Sequence, residues 1–406
     1  MNTGKEVSEY NPFDPTFYTN DPWGTYAWMR NERPVYHSNE WGWYALTRFD
    51  DVAMAALDSD TFRNFEGMDI DATGEQTNAG NFAYMDNPRH DQVRRIVQPF
   101  FQPAAVAKRS HPIRQAVRDL VDQWKDKGHV DIAQELAWPL PFDVFFNLLG
   151  LPSVHDEKFA QLEKWTHQLK HREPNSPELT PISKAAAENI RNYFKELIED
   201  RRKSPSDDLL THIVNAEIEG KPFVDGEVTE DSEVLGLLTL LFLGGVESTA
   251  GLIGSVFKLL AENPEQRALV LADPSRVSDA IEETLRWSSP LQETARTAIR
   301  DVELHGTTIP AGSRVVLVTG AANRDDRQFE NPDKFDISRG KFRHFGFGEG
   351  LHRCLGAPLA RLEASIVLEE VLPLLGEYEL SEAATFYPSS PNMYVWKNVP
   401  IRFDVK

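Results

Sequence analysis

The sequence predicts a mainly α-helical protein with a smaller β part, organised as one domain over residues 1–406. Helical signals outnumber strand signals along the chain, and one helix candidate, residues 229–263, spans roughly 45 Å at 1.5 Å per residue, the width of a whole domain. No internal repeat and no linker rich in Gly, Ser and Pro divides the chain. These observations favour one large helical domain over several small ones.

The composition is typical of a soluble globular protein. Hydrophobic residues make up 41% of the 406 residues, and 43 Lys and Arg stand against 63 Asp and Glu, a net charge of −20. An acidic chain has the wrong sign to bind phosphate backbones or anionic membranes, so neither nucleic acid nor a membrane is an expected partner. The single cysteine excludes an internal disulfide and a multi-thiolate zinc site. The N-terminus lacks the apolar core of a signal peptide, so we expect a cytoplasmic location.

Short local signals predict the smaller elements. Residues 50–57 predict a helix opened by two Asp residues, and residues 142–149 predict another that ends before a Gly and a Pro. Ser206 is the expected N-cap of a third helix. Residues 315–318 and 393–396 are apolar and β-branched or aromatic, which predicts two strands.

Two segments, residues 61–81 and 171–183, show little periodicity and contain several Gly or Pro residues. Each is compatible with a lid over a site and equally with a surface loop that has no function.

The long helix candidate has an unusual centre. Residues 244–249 read Gly-Gly-Val-Glu-Ser-Thr inside an apolar sequence. Each Gly weakens a helix by about 1 kcal/mol relative to Ala, so some other benefit must compensate. The apolar run before it, residues 234–243, is shorter than the ~20 residues that cross a bilayer, which predicts a buried core helix.

The only cysteine lies in residues 347–356, Phe-Gly-Glu-Gly-Leu-His-Arg-Cys-Leu-Gly. An isolated Cys is usually an inert buried residue. Here three Gly residues permit a tight loop with positive φ angles, and an apolar helix candidate begins just after Cys354, so backbone N–H groups can point at the sulfur. That arrangement suits an anionic thiolate.

This segment resembles the haem-binding loop of the cytochrome P450 superfamily, F-x-x-G-x-x-x-C-x-G, without a mismatch. Four other segments match in the order typical of the family, and the resemblance extends over nearly the whole chain. Residues 283–286 are similar to the E-x-x-R helix motif, residues 244–249 to the oxygen-activating helix, and residues 323–339 to the segment before the haem loop. His90 and Arg94 match the H-x-x-x-R helix of bacterial members. The chain therefore resembles a soluble bacterial cytochrome P450, which implies that family's fold with the long helix over a haem.

The resemblance implies haem b as the cofactor, with Cys354 as the axial thiolate ligand of the iron. The haem contacts that it implies are Phe347, Gly348, Gly350, Gly356 and Gly245, together with four residues that would pair with the propionates, His90, Arg94, Arg296 and His352. Each of the four is, on its own, also compatible with a solvated surface charge. A structural ion pair that supports the Cys loop is expected among Glu283, Arg286 and Arg339.

On the other side of the haem, Glu247 and Ser248 occupy the places of the family's acid and alcohol. Reduction of O2 to water needs two protons, so a carboxylate and a hydroxyl there imply positioned acid–base catalysis. Ser lacks the methyl group that fixes the rotamer of Thr, so Thr249 is a possible substitute. Ser248 is also compatible with a simple hydrogen bond to the carbonyl four residues earlier.

The implied function is a monooxygenase that inserts one oxygen atom of O2 into a small to medium, mainly apolar compound such as a terpenoid, an aromatic or a steroid-like molecule. Electrons would come from NAD(P)H through a reductase and a [2Fe–2S] or similar ferredoxin, because the chain has neither a dinucleotide fingerprint nor cysteines for its own cluster. Two alternatives remain, a peroxide-driven or other haem-thiolate reaction such as ring coupling, and a non-catalytic haem-thiolate sensor. The acid and alcohol pair favours O2.

The positions of residues within the matching segments imply two further sites, a substrate pocket and a ferredoxin-binding face. The expected substrate pocket consists of Phe82, Ala83, Leu240, Leu243, Gly244, Leu291, Gln292 and Met393. Gln292 is the expected polar group that orients a substrate, and ordinary core packing is the alternative for several of the others.

The expected ferredoxin-binding face consists of Arg343 and Arg353, with Lys341 and Arg109 at its edge. Charges that merely balance nearby acids are the alternative there.

Overall fold

The structure is a computed structural model that describes residues 10–14, 16–19, 21–70, 80–151, 157–169, 171–229, 232–387 and 392–405. Part of the loop predicted at residues 61–81, residues 71–79, lies outside this described part. The loop predicted at residues 171–183 is confirmed for residues 171–180, and a long helix begins at residue 181.

Helices dominate the fold, as predicted. Their bounds are α1 (Pro22–Glu32), α2 (Phe49–Leu57), α3 (Arg89–Val97), α4 (Pro103–Ala107), α5 (Ser110–Val121), α6 (Pro139–Leu148), α7 (Glu157–Leu169), α8 (Pro181–Lys203), α9 (Leu209–Val214), α10 (Glu233–Glu262), α11 (Pro264–Ala272), α12 (Val277–Trp287), α13 (Thr319–Ala322) and α14 (Ala357–Leu375).

The strands are short. Their bounds are β1 (Val35–His37), β2 (Tyr44–Leu46), β3 (Phe62–Arg63), β4 (His129–Asp131), β5 (Glu217–Ile218), β6 (Lys221–Pro222), β7 (Thr294–Ala298), β8 (Val302–Leu304), β9 (Thr307–Ile309), β10 (Arg314–Leu317), β11 (Tyr378–Leu380), β12 (Thr385–Phe386), β13 (Trp396–Asn398) and β14 (Pro400–Phe403).

The largest sheet has five strands in the order β1-β2-β10-β7-β3, and only the β2 and β10 pair is parallel. A three-stranded sheet, β11-β14-β4, lies near the end of the chain, and three two-stranded hairpin sheets complete the β part. The large sheet covers a smaller hydrophobic cluster of its own, whereas the helices surround the main core. This division matches the predicted fold class, mainly α with a smaller β part.

The predicted central helix exists as α10, 30 residues long. It packs against α6, α8, α12 and α14, which explains why its sequence is apolar on nearly every side. Among the described residues it is the one helix that is long and apolar enough by composition to cross a membrane, although half of its most apolar window is already buried inside the protein. Such a helix is equally the core helix of a soluble protein, so length and hydropathy alone do not distinguish the two.

Two local predictions were wrong in detail. The N-cap of α9 is Asp208 and not Ser206, because the Asp208 carboxylate accepts a hydrogen bond from the Thr211 N–H at 2.8 Å. The predicted strand at residues 393–396 is a strand only from Trp396 onward. Before it, Met393 forms an isolated bridge with Leu291, so this segment pairs with the chain that leaves α12.

The carboxylate of Glu283 lies at the centre of a buried ion pair. Its two oxygens accept from Nη2 and Nε of Arg286, both at 2.7 Å, and both side chains are fully buried. Arg339 donates from Nε to the same carboxylate at 3.0 Å. The N–H of Asp336 donates to it at 2.9 Å. A carboxylate in the core is costly unless it is paired and hydrogen-bonded, and here each oxygen has a charged partner.

Arg286 connects this pair to the cysteine loop. Its Nη1 donates to the carbonyls of Asn323 at 2.9 Å and of Pro332 at 2.8 Å. The side-chain oxygen of Asn323 then accepts from the N–H of Phe345 at 2.7 Å, and the Phe345 carbonyl accepts from Gly348 at 2.8 Å. A continuous chain of hydrogen bonds therefore runs from α12 to the loop that carries Cys354.

We predict that Glu283→Gln lowers the free energy of unfolding by about 3–5 kcal/mol, because it leaves the Arg286 charge buried without its partner. Urea titration of the purified protein measures this loss. The matched control is Glu379→Gln, which removes one member of the exposed Glu379–Arg402 pair and should leave the free energy of unfolding nearly unchanged. Equal losses in the two variants would show that the buried pair does not stabilise the fold.

Candidate functional site

The cysteine loop is held by its own backbone. The Cys354 N–H donates to the Phe347 carbonyl at 2.9 Å. Gly348 and Gly350 have φ angles of 62° and 72°, the left-handed region in which a side chain is strained. A Cβ atom at Gly350 would also lie 2.2 Å from the carbonyl oxygen of Ala56. Glycine at 350 is therefore required both by the backbone conformation and by the close approach of α2.

Cys354 is exposed on one side, yet the protein around it is dense enough that burial raises the pKa of its thiol. Several groups act in the opposite direction. The N–H groups of Gly356 and Ala357, at the start of α14, donate to the sulfur, and the guanidinium groups of Arg94 and Arg361 favour the thiolate. The loop therefore presents a sulfur atom with several partners for its anionic form, as a thiolate metal ligand requires.

Four cationic or potentially cationic side chains converge beside the loop. The rings of His90 and His352 lie 4.6 Å apart, and Arg94 and Arg296 are close enough to lower the pKa of His352. Burial is the larger cause, and together these effects bring that pKa to about 2. Burial also lowers the pKa of Arg296, to about 10, and the nearby Arg314 adds to the shift. Two acids, Asp91 beside His90 and Asp86 near Arg296, balance only part of this group.

The polar atoms of this group are incompletely paired. Nδ1 of His90 contacts the Asp91 carboxylate at 2.9 Å, but Nε2 of His90 and both ring nitrogens of His352 have no partner among the described residues. Arg296 donates to the Ala295 carbonyl at 2.8 Å. Unpaired buried donors are costly, so a ligand with acceptor oxygens would complete this part of the structure.

One face of α10 is open at its centre. Gly244 and Gly245 are exposed although the helix is otherwise mainly buried, and a Cβ atom at either would meet nothing within 4 Å. Leu240, Leu243 and Glu247 are partly exposed one turn to either side. Because residues three and four apart share a helix face, these positions line one continuous open space.

The polar residues near this face of α10 differ in their exposure to solvent. The Ser248 hydroxyl is partly accessible and donates to the Gly244 carbonyl at 2.7 Å, the local hydrogen bond that the sequence left open. Thr249 is only 3% exposed and faces the core. Glu247 lies near Tyr387, whose pKa is raised mainly by burial and further by this carboxylate.

The sequence model of the family "Cytochrome P450" matches residues 46–273 and 275–393. Cytochrome P450 130 of Mycobacterium tuberculosis is 34% identical over 397 residues, 95% of each chain. The chain belongs to the cytochrome P450 family. A protein described as putative cytochrome P450 123 of the same organism is 32% identical over 395 residues, 96% of each chain. The solved structure of CYP109E1 from Bacillus megaterium in complex with testosterone superposes with a TM-score of 0.86, at 29% identity, over 95% of this chain and 98% of that one.

This P450 is thus a haem-dependent oxidoreductase, and its residues fit that cofactor. The exposed sulfur of Cys354 would ligate the iron. The unpaired nitrogens of His90 and His352, with Arg94 and Arg296, would pair with the two propionates. The glycines at 245, 348 and 356 leave the loop and α10 free of side chains where the macrocycle would approach. Gly350 instead faces α2, and the Phe347 ring, the remaining expected contact, is 9% exposed and packs against Arg361.

The expected pocket residues of this P450 divide into two groups. Gly244 is exposed, and Ala83, Leu240, Leu243 and Leu291 are partly exposed. Phe82 and Met393 are buried at 7% exposure, and Gln292 is fully buried. The Gln292 amide donates to the Ser289 carbonyl at 2.6 Å. Its side-chain oxygen is buried without a partner among the described residues, so the role of Gln292 as the polar group of the pocket stays a prediction.

The expected ferredoxin face is also divided. Lys341, Arg343 and Arg353 are exposed beside the cysteine loop, and Arg343 pairs with Glu349. Arg109 is only partly exposed, and burial lowers its pKa. It therefore contributes less to the surface than its three companions.

Sequence reasoning missed a second charge network beside the loop. Glu282 binds Arg361 and His344, with the Arg361 Nε at 2.6 Å and the His344 Nε2 at 3.0 Å from its carboxylate. The only sequence signal is that Glu282 precedes the first residue of the E-x-x-R motif.

We predict that Cys354→Ala abolishes the red-shifted absorption of the reduced CO complex, because that band depends on thiolate ligation of the haem iron. Absorption difference spectra of the purified variant measure the band, and total haem content is recorded in parallel. Since Cys354 is the only thiol in the chain, an unchanged band would show that the assignment is wrong.

Proposed function

We propose that this P450 is an O2-dependent monooxygenase of a small to medium, mainly apolar compound, supplied with electrons by a ferredoxin and its NAD(P)H-dependent reductase. The observation that carries the proposal is the open face of α10, where an apolar surface borders a carboxylate and a hydroxyl. Haem with a thiolate ligand supplies the O2-dependent oxidation chemistry. The residues of this chain bind and orient the substrate and hold the protons.

The substrate class follows from the residues on the open face. Leu240, Leu243, Gly244 and Leu291 carry no charge, and Gln292 is uncharged and fully buried. A charged substrate would leave its ion unpaired there, at a cost of several kcal/mol. The neutral steroid in the CYP109E1 structure supports a substrate of this size and polarity.

Ser248 and Glu247 are the proposed proton-holding residues. Ser248 donates its hydrogen to the Gly244 carbonyl, which leaves the lone pairs of Oγ free to accept from a bound molecule. Thr249 faces the core, so its burial supports Ser248 as the alcohol. The Glu247 carboxylate is partly exposed beside it and can exchange protons with solvent.

The proposed docking site for the ferredoxin is the exposed basic group Lys341, Arg343 and Arg353. Lys341 and Arg353 are exposed around the cysteine loop together with Arg343, which is paired with Glu349, so the local field is more positive than that of the whole protein, whose net charge is −20. Such a field steers an acidic partner toward this face. The acidic composition and the reduced state expected of the single thiol support a soluble, cytoplasmic protein.

We predict that Glu247→Gln lowers product formation by ~10²-fold or more without loss of haem, because it removes a positioned acid–base group. Ser248→Ala should divert electrons to peroxide. Ser248→Thr is the matched control, since it keeps the hydroxyl and fixes its rotamer. Product, NAD(P)H consumption and peroxide are measured with reconstituted redox partners. Wild-type rates and coupling in both Glu247→Gln and Ser248→Ala would show that other residues deliver the protons. Efficient turnover with peroxide alone would favour the peroxide-driven alternative.

We predict that Leu243→Trp removes the shift of the ferric haem absorption that binding compounds induce, because an indole fills the open face of α10, while the reduced CO complex stays intact. The control Ile182→Trp places the same ring at a position of α8 that is 48% exposed and should leave the shift unchanged. The measurement is a titration with neutral compounds and with their carboxylate analogues. Preferential binding of the carboxylates would show that a cation reaches the site and that the apolar assignment is wrong.

A further inference from the structure

Two adjacent carboxylates of α12 point to different parts of the cysteine region. Glu283 is buried and binds Arg286 and Arg339, as described above. Glu282, the residue before it, is about one-third exposed and binds Arg361 of α14. Successive helix residues lie about 100° apart, so one turn of α12 supports two separate networks.

The Arg361 guanidinium is fixed in orientation. Its Nε and Nη2 donate to the two carboxylate oxygens of Glu282 at 2.6 and 2.8 Å, a two-point contact that sets the plane of the group. In this orientation its central carbon lies 4.4 Å from the centre of the Phe347 ring. That distance is within the range of a cation–π contact.

The same carboxylate also holds the loop through its backbone. Glu282 is bound by Nε2 of His344 at 3.0 Å, and Nδ1 of His344 accepts from the Gly346 N–H at 3.0 Å. Phe347 follows directly, and its carbonyl accepts from the Cys354 N–H at 2.9 Å. Glu282 therefore fixes both the ring of Phe347, through Arg361, and the backbone before it, through His344.

The Arg361 guanidinium lies close to the cysteine through Phe347. Its central carbon is 4.4 Å from the centre of the Phe347 ring, and the carbonyl of the same residue accepts from the Cys354 N–H at 2.9 Å. Arg361 is also in the second turn of α14, the helix that begins just after Cys354. Its charge is therefore held near the cysteine loop, and its counter-ion is on α12.

We propose that Arg361, oriented by Glu282, is a positioning residue that sets the reduction potential of the haem iron bound to Cys354. One electron from the redox partner converts ferric to ferrous iron, so the site becomes more negative by one charge. A fixed cation beside the thiolate stabilises that product and makes reduction easier. The inference rests on the proposed ligation by Cys354.

The test is a spectroelectrochemical titration of the ferric and ferrous holoenzyme. Arg361→Gln should shift the equilibrium against reduction by about tenfold, which is 59 mV for a one-electron couple. Arg361→Lys keeps the charge but loses the two-point contact, so its shift should be smaller. The matched control is Arg114→Gln. Arg114 is on α5 and pairs with Glu369 and Glu370, which lie in the C-terminal half of α14, so its loss should leave the potential unchanged.

Equal potentials for Arg361→Gln and Arg114→Gln would overturn the proposal. A wild-type potential in Arg361→Lys would overturn the role of the two-point contact with Glu282. If Arg361→Gln does not hold haem, the reduction potential of Arg361→Lys is compared with that of Arg114→Gln. Equal potentials in these two variants would then overturn the proposal that Arg361, oriented by Glu282, sets the potential. The reduced CO spectrum of the unmodified protein is recorded first, and absence of the thiolate band there would reject ligation by Cys354 and not the role of Arg361.

Discussion

The structure around the cysteine depends on the neutralisation of one buried carboxylate, that of Glu283. Two guanidinium groups and a backbone N–H occupy its oxygens, and the remaining donors of Arg286 and Arg339 hold carbonyls of residues 323–334. Those carbonyls belong to the irregular segment before the cysteine loop, which has little regular hydrogen bonding of its own. Because the carboxylate is costly in the core without every partner, the network orders the whole segment cooperatively.

The second feature of the site is an imbalance of charge. The chain carries a net charge of −20, yet His90, Arg94, Arg296 and His352 converge beside an exposed thiol, and the carboxylates near them, Asp86 and Asp91, balance only part of the group. The buried nitrogens of His90 and His352 that lack partners among the described residues would be completed by a ligand with negative charge and acceptor oxygens. The two carboxylates and the iron of haem fit both needs, which is why the family assignment and the geometry agree.

Function follows from how the two sides of this space are built. On the cysteine side, networks from Glu282 and Glu283 fix the loop, so the sulfur is held rigidly and its electrostatic environment is constant. On the α10 side, Gly244 and Gly245 remove side chains from an otherwise packed helix, and Ser248 and Glu247 supply polar groups on that face. One side is rigid and charged, whereas the other is open and apolar.

The sequence by itself determined the features that neighbouring residues control: the glycine-rich cysteine loop, the long helix, and the pairing of Glu283 with Arg286 one turn away. It did not determine which side chains the fold buries or which distant residues meet. The full burial of Gln292 was not visible in the sequence, and the contact between Glu282 and Arg361 joins residues 79 positions apart. Local motifs are visible because backbone geometry relates residues a few positions apart, whereas burial and long-range pairing are decided only when the helices pack.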